Sequence, residues 1–357
     1  MNVVLVGAHG FGRWHLQNIQ RLGLRLAGVC DLVPVADLDG VPQSSDLAGL
    51  LRRTGAQVTI IATPIHTHAD LARTALEHGS HVLLEKPPVR TVEEFESLSR
   101  AVAASGLSCQ VGFQSLGSHA VSEVARLMAG GAVGRVRGIG VAGAWSREPG
   151  YYERAAWAGR REAGDGALTN PFAHGIATAL RLAGSERLGE VAEVEAELFH
   201  AHPIDADDTS CLRVRTTGGP TGGPTGGPTG GTVITVAVTL CAEREADPYV
   251  LVHGDRGRIT LWYTRDRVRV GDGPVVSYGR DDLLENLVSG KEPLVPLAAT
   301  GAFTQVVAGI LSAPEPRPIP SEIIGGRRVV PGVDALVTAG AERLALFSEI
   351  GTPWDDR

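Results

Sequence analysis

The sequence predicts an α/β chain in two parts: a doubly wound parallel sheet first, then an α+β region on a large, mostly antiparallel sheet. Three observations predict it. Over residues 1–115, short apolar runs alternate with helical patterns, as a parallel sheet with crossover helices requires. A Gly-rich turn, Gly7-Ala-His-Gly-Phe-Gly12, follows the first apolar run. After residue 118 longer alternating stretches replace the strand–helix rhythm. At 357 residues the chain exceeds one ordinary core, and the predicted division is 1–118 and 119–357.

The apolar runs at 2–7, 24–31, 58–63, 81–87 and 107–114 read as the parallel strands. Helical segments fill the gaps at 12–22, 45–54, 67–79, 91–105 and 117–130. Thr91-Val-Glu-Glu94 has capping-box spacing and starts the fourth of them. In the second part, alternation predicts strands at 135–147, 190–200, 208–216, 232–242 and 249–270, with a turn at 254–257. A helix bearing His174 interrupts them, with Asn170 as its N-cap and Pro171 at its first position. Further helices are expected at 280–289, 298–311 and 332–349, the last packing back near the first domain. Residues 217–232 hold a Gly-Gly-Pro-Thr repeat; its glycines and prolines oppose a ladder, so a disordered hairpin tip is expected.

Bulk properties narrow the function. Hydrophobic content of 43% and charged content of 20% suit a soluble globular chain. A net charge of −7 disfavours nucleic acid or an anionic membrane as partner, and no apolar run is long enough to span a bilayer. Cys30, Cys109, Cys211 and Cys241 are scattered without a CxxC pair, which predicts reduced thiols and a cytoplasmic location. No Asp/Glu/His grouping has metal-ligand spacing, so no metal is expected. His200-Ala-His202 and Asp205-Ala-Asp-Asp208 are read as strand alternation and loop solvation.

The turn points to a dinucleotide. Gly7 permits a tight turn, Gly12 lets the helix pack close to the strand, and N–H groups at the helix start can hold a pyrophosphate. His9 occupies the middle position where the fingerprint has Gly; its side chain must swing aside or lie along the phosphates, with Gly10 relieving the crowding. A plain strand–turn–helix corner has the same pattern. Asp31, about 20 residues on, is placed to accept from the adenosine ribose hydroxyls. A carboxylate there repels a 2′-phosphate, and no Arg follows closely, so NAD is favoured over NADP. Asp31 capping a strand end is the alternative.

The run His81-Val-Leu-Leu-Glu-Lys-Pro-Pro88 puts Lys86 at the carboxyl end of a buried strand, where parallel sheets bind ligands. Taken in order, Gly7–Gly12 with His15, Asp31, Ala62-Thr-Pro-Ile-His-Thr-His68, Glu85-Lys-Pro87 and Asn170…His174 resemble the Gfo/Idh/MocA family of oxidoreductases. The resemblance spans nearly the whole chain and is clearest to residue 115 and over 164–182. It implies a Rossmann domain joined to an open-faced sheet domain through which such proteins often dimerise, here as a homodimer or homotetramer. It implies NAD(P) chemistry on sugars, polyols and related hydroxy compounds. The cofactor residues it implies are Gly7, His9, Gly10, Phe11, Gly12, Asp31, Thr63, Pro64, His68, Glu85, Lys86 and Gln114, the last standing where relatives often carry Arg. Glu85 would lie near the nicotinamide-side ribose, Lys86 would hold the reacting oxygen, and the Lys86–Pro87 bond is a candidate for cis geometry.

Oxidising a secondary alcohol sends hydride to the cofactor and leaves the proton and the oxygen's charge to the protein. Lys86 offers a compact cation with three donors, and His174 a proton acceptor near neutral pH; a structural His is the alternative. Asn170 stands where many relatives have Asp. It can orient a substrate hydroxyl but cannot act as a base. Asp165 replaces the middle Gly of a run common in the family. Trp145, Tyr151, Tyr152, Trp157 and Arg160 form a polar-aromatic stretch suited to a carbohydrate-like substrate, with Tyr152, Trp157, Arg160 and His174 as the substrate residues; core packing explains the aromatics equally. The expected function is NAD-dependent hydride transfer at a secondary alcohol or ketone. The alternatives are an NAD-dependent glycosidase without net redox change and a non-catalytic cofactor-binding sensor.

Overall fold

The computed structural model describes residues 1–36, 38, 40–219 and 231–354. Most of the Gly-Gly-Pro-Thr repeat therefore lies outside the described residues. The chain divides into two compact units, Met1–Gln114 with Asp281–Thr300, and Ser115–Arg280 with Gly301–Arg357.

The first unit is a six-stranded, wholly parallel sheet in the order β3-β2-β1-β4-β5-β6. Its strands are β1 (Asn2–Val6), β2 (Arg25–Cys30), β3 (Gln43–Ser44), β4 (Val58–Ile61), β5 (His81–Leu84) and β6 (Cys109–Val111). Five match the expected apolar runs; β3 is too short to show periodicity. The connecting helices are α1 (Gly12–Arg21), α2 (Leu47–Thr54), α3 (His68–Glu77) and α4 (Val92–Ser105). The helix starts follow local chemistry: Asp46 caps α2 by accepting from Gly49 N, and Thr91 caps α4 by accepting from Glu94 N. Leu5, Ile60, Ile61 and Leu84 are fully buried, each worth about 1.5–3 kcal/mol over exposure. The strand order reverses between β1 and β4, which makes their carboxyl ends the switch point of a doubly wound sheet. Residues 281–300 complete this unit with α7 (Leu283–Val288), and Val111 N donates to Val295 O at 2.9 Å.

The second unit carries α5 (His119–Ala129), α6 (Ala173–Leu182), α8 (Gly301–Ser312), α9 (Val333–Arg343) and α10 (Phe347–Ile350). Its strands are β7 (Val136–Ser146), β8 (Val191–His200), β9 (Thr209–Thr216), β10 (Val233–Thr239), β11 (Cys241–Gly254), β12 (Arg258–Trp262), β13 (Arg267–Val270), β14 (Val276–Ser277) and β15 (Arg317–Pro318). These nine form one sheet, in the order β14-β13-β12-β11-β7-β10-β9-β8-β15. Every pairing in it is antiparallel except β10 on β7 and β15 on β8. A separate hairpin joins β16 (Glu322–Ile324) to β17 (Arg327–Val329).

Two helix expectations change. The helix expected over 332–349 breaks at Leu344, which takes φ 54°, so α9 and α10 are separate. α9 packs within the second unit: Val333, Leu336, Val337 and Ala341 share a core with Ala237 of β10 and Cys241 of β11. The helix bearing His174 starts at Ala173, not after an Asn170 cap, and Phe172 is its N-cap residue. Residues 166–172 are turns, with Asn170 N donating to Gly166 O and Phe172 N to Ala167 O. The Asn170 side chain donates to Asp165, which takes it away from capping.

Candidate functional site

In the first unit the Gly-rich turn joins β1 to α1. Gly7 takes φ +79°, and a Cβ there would lie 2.6 Å from Ala62 O; a Cβ on Gly12 would lie 1.9 Å from Gly7 O. Only glycine fits either position. His9, Gly10 and Phe11 are exposed, and among the described residues no hydrogen bond engages their backbone N–H groups. Outward N–H donors at the start of a ten-residue helix suit a pyrophosphate. His9 has swung aside: its Nδ1 lies 3.1 Å from Asp31 Oδ2.

Asp31 follows β2. It accepts from Ala8 N at 2.9 Å and from Val33 N at 3.1 Å. Burial alone would raise its carboxyl; these two donors and His9 outweigh burial and hold it below the usual carboxylate range. An ionised acceptor beside the turn is what an adenosine ribose requires.

Beyond β5, Glu85 is buried and its Oε1 meets His15 Nε2 at 3.0 Å and Gln114 Nε2 at 3.3 Å. His15 has no exposed surface and belongs to this network, though its sequence position alone assigns it no part. Lys86 is half-buried, its backbone N donates to Glu85 Oε2 at 3.2 Å, and the Lys86–Pro87 bond is cis. Thr63 Oγ1 lies 2.6 Å from Thr67 Oγ1, while Pro64 is exposed. His68 is enclosed. Its Nδ1 lies 2.9 Å from Pro87 O and its Nε2 2.8 Å from Thr63 O, so it fastens the turn after β4 to the loop after β5. Burial lowers its pKa, against the pull of these two carbonyls and the Glu85 charge.

In the second unit His174 is partly buried on α6, with Nδ1 3.4 Å from Ser115 Oγ. Thr178 Oγ1 donates to His174 O at 2.7 Å and lies 3.2 Å from Ser115 Oγ. Asp165 is a buried hub. It receives Arg154 Nη2 at 3.0 Å, Gly159 N at 2.8 Å and the Asn170 amide. The aromatic stretch divides by role. Trp145 is half-buried and packs against the fully buried Phe172 at 4.8 Å. Arg154 lies over the rings of Tyr151 at 3.8 Å and Trp157 at 4.7 Å. Tyr152 and Arg160 line a cleft of about 550 Å³; Trp157 does not. His202 lines the same cleft. The reading of Asp208 as a solvated loop residue is overturned: it has no exposed surface, and its carboxylate takes the N–H groups of Ala201 and His202 and His202 Nδ1 at 2.8 Å.

The fold and the turn define a two-unit protein whose first unit is a Rossmann-type dinucleotide-binding domain. Comparison with known proteins agrees. Residues 1–113 match the model of an oxidoreductase family with an NAD-binding Rossmann fold, and 121–260 match the GFO/IDH/MocA C-terminal domain. The chain belongs to the GFO/IDH/MocA family. It is 29% identical over 239 residues to a levoglucosan dehydrogenase of Pseudarthrobacter phenanthrenivorans, covering 62% of this chain and 59% of that protein. It is 30% identical over 117 residues to glycosyl hydrolase family 109 protein 1 of Bacteroides thetaiotaomicron, covering 28% and 25%. The chain thus spans less than two thirds of the length of these curated relatives. Its fold resembles the WlbA dehydrogenase of Bordetella pertussis, solved with NADH and UDP-GlcNAcA, at a TM-score of 0.69 and 21% identity over 90% of this chain and 99% of that one.

Proposed function

We propose that this protein is an NAD-dependent oxidoreductase that transfers hydride between nicotinamide and a secondary alcohol or ketone of a sugar, polyol or related small molecule. The observation that carries it is the Glu85–Lys86–Pro87 segment at the carboxyl end of β5, in the same unit as the turn of Gly7 to Gly12. NAD, when bound, supplies the hydride acceptor. In this reading Lys86 holds the reacting oxygen and stabilises its developing charge, and His174 takes the proton. Asn170, held by Asp165, orients a substrate hydroxyl. Tyr152, Trp157 and Arg160 contact the remainder of the substrate. The levoglucosan dehydrogenase relative supports a carbohydrate-like substrate.

The test is absorbance at the NADH band with purified protein, NAD and a panel of sugars and polyols. Lys86→Ala is expected to lower turnover by about 10²–10⁴-fold while largely sparing NAD binding; unchanged turnover removes Lys86 from the mechanism. The glycosyl hydrolase relative favours one second reading, glycoside cleavage in which NAD is consumed and restored. Release of p-nitrophenol from aryl glycosides, dependent on NAD but without NADH build-up, selects it. Cofactor binding with neither activity selects the sensor.

Self-association as a dimer or tetramer through the second unit is part of the proposal. Exposed Val275 and Val276 at the sheet edge and Ile323 and Ile324 on β16 support it, and light scattering tests it. Among the described residues no helix is long and apolar enough to cross a membrane. The four cysteines are free and buried, which supports a reducing compartment.

A further inference from the structure

The cleft in the second unit has a chemistry that the residues assigned above do not exhaust. Three segments build it: the stretch after β7, the turn after β8 and the β16–β17 hairpin. Two of its lining residues carry buried polar atoms without a hydrogen-bond partner, Tyr152 Oη and Arg147 Nε. Leaving a buried donor unmade costs about 1–3 kcal/mol, so a pair of them in one cleft points to a ligand group that completes them. Burial pushes the Tyr152 phenol up, so it remains a donor.

Among the residues that line the cleft, three arginines stand against two glutamates, and the Arg147 charge opposes those of buried Asp208 and Asp165 at Tyr152. Neither Arg147 nor Arg328 has a carboxylate within 4 Å among the described residues, and Arg147 feels the charge of Glu245 at longer range; Arg328 Nη1 donates to Ser321 Oγ at 3.0 Å. Arg160 is paired at 3.6 Å with exposed Asp205. The acidic groups lining the cleft, Glu148 and Glu153, are exposed. His202 adds an oriented ring. Asp208 accepts two backbone N–H groups and faces His202 Nδ1 at 2.8 Å with the same oxygen that takes His202 N, which places the proton on Nδ1. Nε2 is then the ring atom left to bond a ligand.

We propose that this cleft binds the oxyanion of a sugar acid or sugar phosphate, with Arg147 and Arg328 supplying charge and Tyr152 Oη and His202 Nε2 supplying hydrogen bonds. Guanidinium forks match carboxylate and phosphate alike. The step from ligand to substrate rests on the dehydrogenase reading; the binding site itself does not.

Isothermal titration of the full-length protein, with NAD present, tests it using D-glucuronate, D-glucose 6-phosphate and D-glucose. At least one acid is expected to bind about tenfold or more tighter than glucose, and which acid does so separates carboxylate from phosphate. Arg147→Ala and Arg328→Ala should each remove most of that advantage, Arg147→Lys should retain part of it, and Tyr152→Phe should cost less. NAD titration of each variant checks that it is folded. Glucose binding as tightly as both acids overturns the proposal, as does an acid affinity unchanged in the Arg147→Ala, Arg328→Ala double variant. Acid binding with no NADH formation across the sugar and polyol panel leaves the cleft assignment standing and defeats the dehydrogenase reading. NADH formation from neutral polyols that is indifferent to both arginines does the reverse.

Discussion

The two units hold their candidate sites in different materials. In the first, the turn from Gly7 to Gly12 presents backbone N–H groups, and two missing Cβ atoms decide its shape. In the second, side chains hold one another: Asp165 gathers Arg154, Gly159 N and Asn170, and Asp208 gathers His202 and the backbone beside it. A backbone site tolerates loss of the side chains on it but not added atoms. A side-chain site fails when one hub is cut away.

Substitutions can break or sharpen that contrast. Gly12→Ala should have the largest effect on the cofactor: its methyl meets Gly7 O, and an overpacking cost of about 1–3 kcal/mol corresponds to up to about 100-fold weaker NAD binding by titration. Asp165→Ala should cost about 3 kcal/mol in urea unfolding, since it strands a buried network, and Asp165→Asn should recover part. Asp31→Ala should weaken NAD about tenfold and narrow the preference over NADP. The Asp31 carboxyl is depressed, so the charge it contributes is complete above the ordinary carboxylate pKa and is lost as pH falls through the lowered value. NAD affinity should therefore be insensitive to Asp31 protonation from pH 8 to about pH 5, and a fall within that window would count against its ribose role. His9→Ala should do least, within about threefold for NAD, because the phosphates are left to backbone donors. A tenfold loss there would erase the contrast.

The same difference explains what was legible in the sequence. Five parallel strands and the four helices between them could be read from periodicity, and the turn and Asp31 from spacing, because backbone geometry restricts residue type locally. His15 was legible only as part of a motif; its contact with Glu85, 70 positions away, depends on packing α1 against the sheet. Asn170 misled because an N-cap and a side-chain donor use the same residue; the partner that decides, Asp165, lies five positions back in a turn. Asp208 looked like loop chemistry, since nothing local shows that Ala201 and His202 fold over it. Arg147 and Arg328 were invisible as a pair: they lie just after β7 and in a late hairpin separate from the nine-stranded sheet, and only the packing of that hairpin against β7 and β11 brings them to one cleft.

The return of residues 281–300 to the first unit sets a timetable for synthesis. β6 is an edge strand, its Val111 N–H taken by Val295 O, and the enclosed Gln110 bonds Leu283 O and Val295 N. A nascent chain that has emerged to residue 114 holds every strand of that sheet but leaves this edge uncovered. At roughly 5–20 residues per second, an interval on the order of ten seconds or more passes before the covering segment leaves the ribosome. An open edge is a template for pairing with another chain. The unit translated first is thus the one closed late, and its exposure to aggregation is set by elongation speed.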